Sequence, residues 1–320
     1  MLSFVVRGSL FVFAAALIVA APLRCAKLEL PTPAYRVVDD IYSGNLAIAI
    51  EGAQRLQQAQ PGHPLGYLLE DEALWWKVWC TAAEFRYGMS YPRHRAKLPA
   101  DQHYLDLAMK ATSLAEAQIA LRDTAELEFY AGMGDALQAR IYGLRAETRN
   151  AARTGVRARE RLLRAVALDP GLADAYLGLG LYNYYADTLS GAARVLRFFM
   201  GIPGGSKQEG MEQLQRAIGE GVLTSPEASF YLAINLHNYD QKYEQALQIA
   251  GPLAEKYPSN PIFRLVLGDL YAKLGRRELA AESYRAAAAL RVNDAQCDAH
   301  ILTLIQASLA AINSEPTANR

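Results

Sequence analysis

The sequence predicts an all-α protein of about six helix pairs, stacked as a solenoid and closed by a C-terminal capping helix. Three observations carry this. After residue 30 no segment alternates apolar and polar residues as a half-buried strand would. Long stretches instead place apolar residues three and four apart, the period of an amphipathic helix. In the C-terminal half the helix pairs recur at a spacing of about 34–35 residues, which is the signature of a repeat array.

Residues 1–23 hold one charge, Arg7, and from Gly8 to Leu23 the chain is uncharged. That run falls short of the ~20 residues of a membrane span and suits the apolar region of a signal peptide. Residues 1–26 are therefore read as a signal peptide or an N-terminal membrane anchor, so the chain is expected to be exported, periplasmic or membrane-anchored. Val19, Ala20 and Ala21 offer a cleavage site, with Pro22 behind it as an obstacle. Arg24 before Cys25 departs from a lipidation signal.

Residues 27–150 read as irregular helical repeats. Ala49, Ala53 and Leu56, closed by Pro61, mark the second helix of a pair. Residues 65–83 and 101–121 have helical period but fit the repeat register poorly. Tyr130, Met133, Gly134 and Leu137 mark a first helix. Its partner carries Ala158, Leu162 and Ala165 and ends at Pro170, and the long gap between them predicts that both are extended.

Residues 151–294 hold the more regular units. In the last, Leu267, Gly268 and Tyr271 lie on the first helix and Ala280, Tyr284 and Ala287 on the second, with Gly275 and Arg276 in the turn. Small residues at Gly268 and Ala280 let the two helices cross closely, and the large ones fill the remaining space. Asn260 is placed to cap the first helix, with Pro261 in its first turn. The unit before it carries Leu232, Ala233 and Leu236, then Ala246, Ala250 and Leu253, and closes at Pro258. A further unit carries Tyr176, Leu179 and Gly180 on its first helix and Gly210, Leu214 and Ala217 on its second. Its two halves are separated by an insertion of about 18 residues near 187–207. With that removed, Gly180 and Gly268 stand two units of about 35 residues apart. Residues 295–320 form the capping helix, with Ile301, Leu304, Ile305, Leu309 and Ile312 on one stripe, and a frayed tail.

The spacing of Leu267, Gly268, Tyr271, Ala280, Tyr284 and Ala287 resembles the tetratricopeptide repeat, a helix–turn–helix unit of about 34 residues. The runs GLGLYNYYAD, LRFFMGIPGGSKQEGMEQLQRA and ASFYLA resemble a bacterial branch of those proteins. They are distantly similar to the eukaryotic repeat family that includes the yeast mitochondrial inclusion-clearance protein. The similarity covers residues 155–292 and is weaker before residue 150. Arg264, Asn183 and Val292 depart from the repeat pattern. The resemblance implies a helical scaffold and carries over no catalytic residue.

Charge and motif narrow the function further. With 33 Lys and Arg against 33 Asp and Glu, no basic excess exists to neutralise phosphates, so a nucleic-acid partner is not expected. In GIPGGSKQEG the serine precedes the lysine and a helix precedes the glycines. Neither suits a P-loop, and the stretch reads as a connector into the next helix. No HExxH or GxSxG occurs, and Cys297 with His300 is an isolated half-motif, so no metal, cofactor or enzyme activity is expected. Cys80 and Cys297 are read as buried free thiols, with a bridge between them as the alternative. Glu70, Asp71 and Glu72 are read as a solvated helix end rather than an acid–base pair.

The expected function is a non-catalytic scaffold in the cell envelope that binds a protein or peptide in its concave groove, with N-terminal membrane association possible. The first helices line that groove. By register, Tyr184, Tyr185, His237, Asn238, Asp269 and Lys273 are its candidate contacts. Trp76 joins them because it lies off the face shared by Trp75 and Trp79. The alternative is a small-ligand protein with an aromatic pocket where the insertion folds against Tyr182 and Tyr185, which share a helix face while Tyr184 points elsewhere.

Overall fold

A computed structural model describes residues 27–82, 97–189, 197 and 201–314. Among these residues there are thirteen α-helices and no strand. In chain order they are α1 (Thr32–Tyr42), α2 (Leu46–Ala59), α3 (Leu65–Ala82), α4 (Ala100–Ile119), α5 (Ala125–Leu144), α6 (Thr148–Leu168), α7 (Tyr176–Thr188), α8 (Lys207–Glu220), α9 (Ser225–Asn238), α10 (Tyr243–Lys256), α11 (Pro261–Lys273), α12 (Arg277–Ala289) and α13 (Ala295–Ser314), with a short 3-10 turn at Ala173–Ala175 before α7. The architecture is consistent with an all-α solenoid. The predicted signal peptide or anchor (residues 1–26), most of the predicted inserted helix and the end of the tail lie outside the described residues.

Local chemistry sets the boundaries. The Thr124 hydroxyl accepts from the N–H of Leu127 at the start of α5, and Ser206 from that of Glu209 at the start of α8. The Asn260 side chain accepts from the N–H of Ile262, with Pro261 in the first turn of α11. Gly275 adopts a positive φ of 72° in the turn after α11. Before α9, the Asp174 carboxylate accepts from the N–H groups of Val222, Leu223 and Thr224 at 2.7–3.1 Å, fixing the α8–α9 loop to the 3-10 turn.

Helices α8, α10 and α12 each bury one narrow stripe of small and apolar residues: Gly210, Leu214 and Ala217; Ala246, Ala250 and Leu253; Ala280, Tyr284 and Ala287. Their other faces meet solvent. Their neighbours α9 and α11 are buried nearly all round. Glycines set the closest crossings. A Cβ on Gly210 would lie 2.7 Å from the Gly180 carbonyl oxygen, and one on Gly268 would lie 2.4 Å from the Tyr284 ring.

Burial on all faces of α9 and α11 is explained by α3. Trp75 donates to the Tyr231 hydroxyl at 2.8 Å. Trp76 packs against Phe230 and Phe263, with ring centroids 4.7 and 5.6 Å away. Trp79 meets Phe230 edge-on at 5.1 Å. Helix α3 thus covers the faces of α9 and α11 that α10 and α12 leave open. The ends of the chain are also drawn together. The Asn260 side chain donates to the Tyr42 carbonyl and Lys77 pairs with Asp294. Cys80 and Cys297, expected as free thiols, are joined in a disulfide from α3 to α13. A bridge closing so long a loop stabilises a fold by about 2–5 kcal/mol, chiefly by restricting the unfolded chain.

Two further expectations are corrected. The acidic cluster is not a solvated helix end: Glu70 and Asp71 are buried within α3. The neighbouring side chains account for Glu70, which accepts from Gln54 and Gln57 at 2.8 and 2.6 Å. The Asp71 oxygens have no hydrogen-bond partner among the described residues, and burial pushes this carboxyl well above its usual range. The expectation of a membrane-anchored chain is also corrected as far as the described residues reach. No helix among the described residues is long and apolar enough to cross a membrane, and the longest, α6, carries six arginines in 21 residues.

Candidate functional site

Where α5 and α6 splay from α7 and α9, the array leaves a cavity of about 770 Å³. Its walls are built from side chains too small to close it, Ala136, Ala139 and Gly143 on α5 and Gly155 and Ala158 on α6, and from Gly178 on α7, whose missing Cβ makes room for Leu162. A Cβ on Gly143 would have no neighbour within 4 Å, so this wall faces open space. Aromatic groups supply the rest of the surface. Tyr182 and Tyr185 project from α7, Tyr231 and Tyr239 from α9 and its end, and Trp75 from α3. Pairs of residues three or four apart place both tyrosines of α7 on the cavity face. Their hydroxyls are engaged: Tyr182 donates to the Pro203 carbonyl at 2.9 Å and Tyr185 to the Asn235 side chain at 3.0 Å.

Two arginines reach the cavity, and their surroundings differ. Arg140 is held between the carboxylates of Glu72, at 3.0 Å, and Glu227. Its guanidinium also lies 5.7 Å from the Trp75 ring centroid and 5.5 Å from that of Tyr231. Burial acts to lower its pKa, and the carboxylates of Glu227 and Glu72 outweigh that and raise it. Burial pushes the Glu227 carboxyl above its usual range despite the neighbouring cation. Arg159 is stacked on the Tyr182 ring at 5.4 Å. Its helix neighbours Arg157, Arg161 and Arg164 turn away and pair with Asp135, Glu128 and Asp123. Arg159 has no carboxylate partner among the described residues. No group of three His, Cys, Asp or Glu among these residues is arranged to hold a metal.

Of the residues picked from sequence for the groove, Tyr185 lines this cavity and the others do not; Tyr182, named with Tyr185 for the alternative pocket, lines it too. Tyr184 is buried on the opposite side of α7, donating to the Asn235 carbonyl at 3.1 Å and to Asp240 at 3.0 Å, with the Lys207 ammonium 5.2 Å from its ring. Trp76 is 1% exposed, in the core between α3, α9 and α11, and donates to Glu72 at 2.9 Å. His237 is buried, its Nδ1 2.8 Å from the side-chain oxygen of half-buried Asn238. Burial lowers its pKa. Asp269 is fully buried and accepts from the Tyr284 hydroxyl at 2.6 Å; burial raises its carboxyl to about 7. Lys273 is half-buried, close enough for its charge to act on both His237 and Asp269. His237, Asp269 and Lys273 therefore share a neighbourhood, but it is core rather than groove.

The GIPGGS connector is explained by packing. A Cβ on Gly205 would lie 2.5 Å from the Asn183 carbonyl oxygen, and Ser206 caps α8. Sequence reasoning missed Arg140 and Arg159. The signal for Arg140 was present: it is a lone cation within the apolar period of α5.

Fold and cavity together define a class: an all-α helical array that carries an aromatic-lined cavity beside its core. Compared with protein-family models the chain matches none, and no curated protein matches it.

Proposed function

We propose that this chain is a non-catalytic binding protein of the tetratricopeptide-like kind that houses a small, largely apolar ligand between α5, α6, α7 and α9. The observation that carries this reading is the cavity itself. At about 770 Å³ it falls in the range of ligand pockets, and it combines apolar and aromatic walls with a few placed polar groups. The repeat assignment is supported by the close crossings at Gly180–Gly210 and Gly268–Tyr284, which fall at the register of the repeat. Within the cavity Arg140 is already engaged by carboxylates. Binding of a protein or peptide partner is the second reading. Helix α3 covers α9 and α11, so a peptide is left this same cavity as its place of entry.

The neutral fluorophore N-phenyl-1-naphthylamine tests the reading. It is expected to bind the wild-type protein saturably at one site with enhanced emission, and Trp75 in the wall is expected to transfer energy to it. The variant Ala139→Trp/Gly143→Trp, which puts two indoles into the cavity, is expected to lose the site at unchanged helicity. If that variant fails to fold, Gly143→Trp alone replaces it, with clearly weaker binding of the fluorophore expected. Absence of saturable binding, or binding that neither variant alters, would refute the reading.

A further inference from the structure

The rim of the cavity at Tyr182 carries two arginines and one exposed carboxylate, Glu160, which forms no ion pair with either of them. Arg159 stacks on the face of the Tyr182 ring, 5.4 Å from its centroid. Arg197 approaches the hydroxyl end of the same ring: its Nη1 donates at 3.1 Å to the Pro203 carbonyl that also accepts from the Tyr182 hydroxyl. Both cations act on that hydroxyl, partly offsetting the effect of its burial, while Glu160 acts in the opposite sense. Neither guanidinium pairs with a carboxylate among the described residues. The Arg197 Nε is shielded from solvent and has no hydrogen-bond partner, so an unused donor stands behind the cavity-lining Tyr182. Elsewhere the arginines of α6 that pack onto α5 have acidic partners, and Arg140 deeper in the cavity has two. Arg140 apart, the floor and walls are apolar and aromatic, and the arginines without an ion-pair partner are confined to one edge.

We infer that the cavity takes a single-chain amphiphile with a carboxylate head, the head held at the Tyr182 rim by Arg159 and Arg197 and the chain lying along the small-residue wall of α5 and α6. This rests on the pocket reading above and adds the chemistry of its ligand. Two guanidinium forks suit a carboxylate because each presents paired donors that match its two oxygens. The Ala136, Ala139, Gly143 and Gly155 wall offers no hydrogen bond from its side chains, so it receives methylene groups and excludes a second polar end.

The test compares three ten-carbon probes, decanoate, 1-decanol and decyltrimethylammonium, by displacement of the neutral naphthylamine fluorophore from the full-length protein. Decanoate is expected to bind at least tenfold more tightly than 1-decanol, with the advantage shrinking as ionic strength rises, and decyltrimethylammonium is expected to bind most weakly. In Arg159→Gln/Arg197→Gln the decanoate advantage is expected to vanish while 1-decanol binding changes by less than about twofold, a control that also reports an intact pocket. Equal affinity for decanoate and 1-decanol, or an advantage that survives in the double variant, overturns the inference and leaves the pocket reading standing. If none of the three displaces the fluorophore, the inference fails; if the fluorophore itself does not bind, the pocket reading fails with it.

Discussion

Replacing Arg140 with methionine is expected to destabilise the fold by about 3–5 kcal/mol, read as a lowered urea midpoint at unchanged slope. The guanidinium is nearly buried, bridges Glu72 and Glu227 from two other helices and lies over two aromatic rings. Methionine keeps much of the volume and removes the charge, which leaves two carboxylates in the protein interior. One of them, Glu227, is already pushed up by burial with the cation present; without it the proton is held more firmly still. Loss is therefore expected to be largest above neutral pH, where protonating that group is costly. Adding Glu72→Gln and Glu227→Gln to Arg140→Met is expected to restore more than half the lost stability, because the neutral amides need no counter-charge. A loss of stability under about 1 kcal/mol for Arg140→Met would mean that solvent reaches these groups and that α3, α5 and α9 are not joined as described.

The second large effect concerns Asp269. Burial raises its carboxyl from 3.8 to about 7, against the Tyr284 hydrogen bond and the Lys273 charge, which act to lower it. The folded protein thus binds a proton that the unfolded chain releases. The sign follows: the protonated group's contribution is fully present below pH 3.8 and is lost as pH rises through about 7. A shift of about three units corresponds to about 4 kcal/mol. Asp269→Asn cannot ionise and retains an acceptor for the Tyr284 hydroxyl. Relative to wild type it is expected to gain about 3–4 kcal/mol between pH 4 and pH 8, measured as the difference between the two urea-unfolding profiles. Taking that difference cancels the opposing titration of His237, whose lowered pKa makes the fold less stable as pH falls below its ordinary value. Parallel profiles for the two proteins would show that Asp269 is ionised in the folded state throughout.

Much of the outer layer was legible in the sequence because its physics is local. The stripes of α8, α10 and α12 repeat every three or four residues whatever lies beyond them, and the Asn260 cap needs only its own neighbours. The inner arrangement was not legible, because long-range pairing decides it. Nothing in the run WWKVW shows that all three tryptophans of α3 will be enclosed by Phe230, Tyr231 and Phe263 from the other half of the chain. The disulfide has the same origin, since two cysteines 217 positions apart give no sign of meeting. The acidic cluster was misplaced because charge normally marks solvent, and the groups that receive Glu70 and Glu72 come from α2 and α5. The cavity was only half visible. Tyr182 and Tyr185 share a face by period, but Ala139, Gly143 and Gly155 read identically whether a helix or a void lies opposite.

The most direct test of the central claim is hydrogen exchange of the full-length protein with and without saturating N-phenyl-1-naphthylamine. Ligand in the cavity is expected to slow exchange in peptides covering residues 133–144, 155–159 and 177–185, which line it, and to leave those of α10 and α12 unchanged. Protection confined to α10, α11 and α12, or none at saturation, would place the ligand elsewhere and contradict the account.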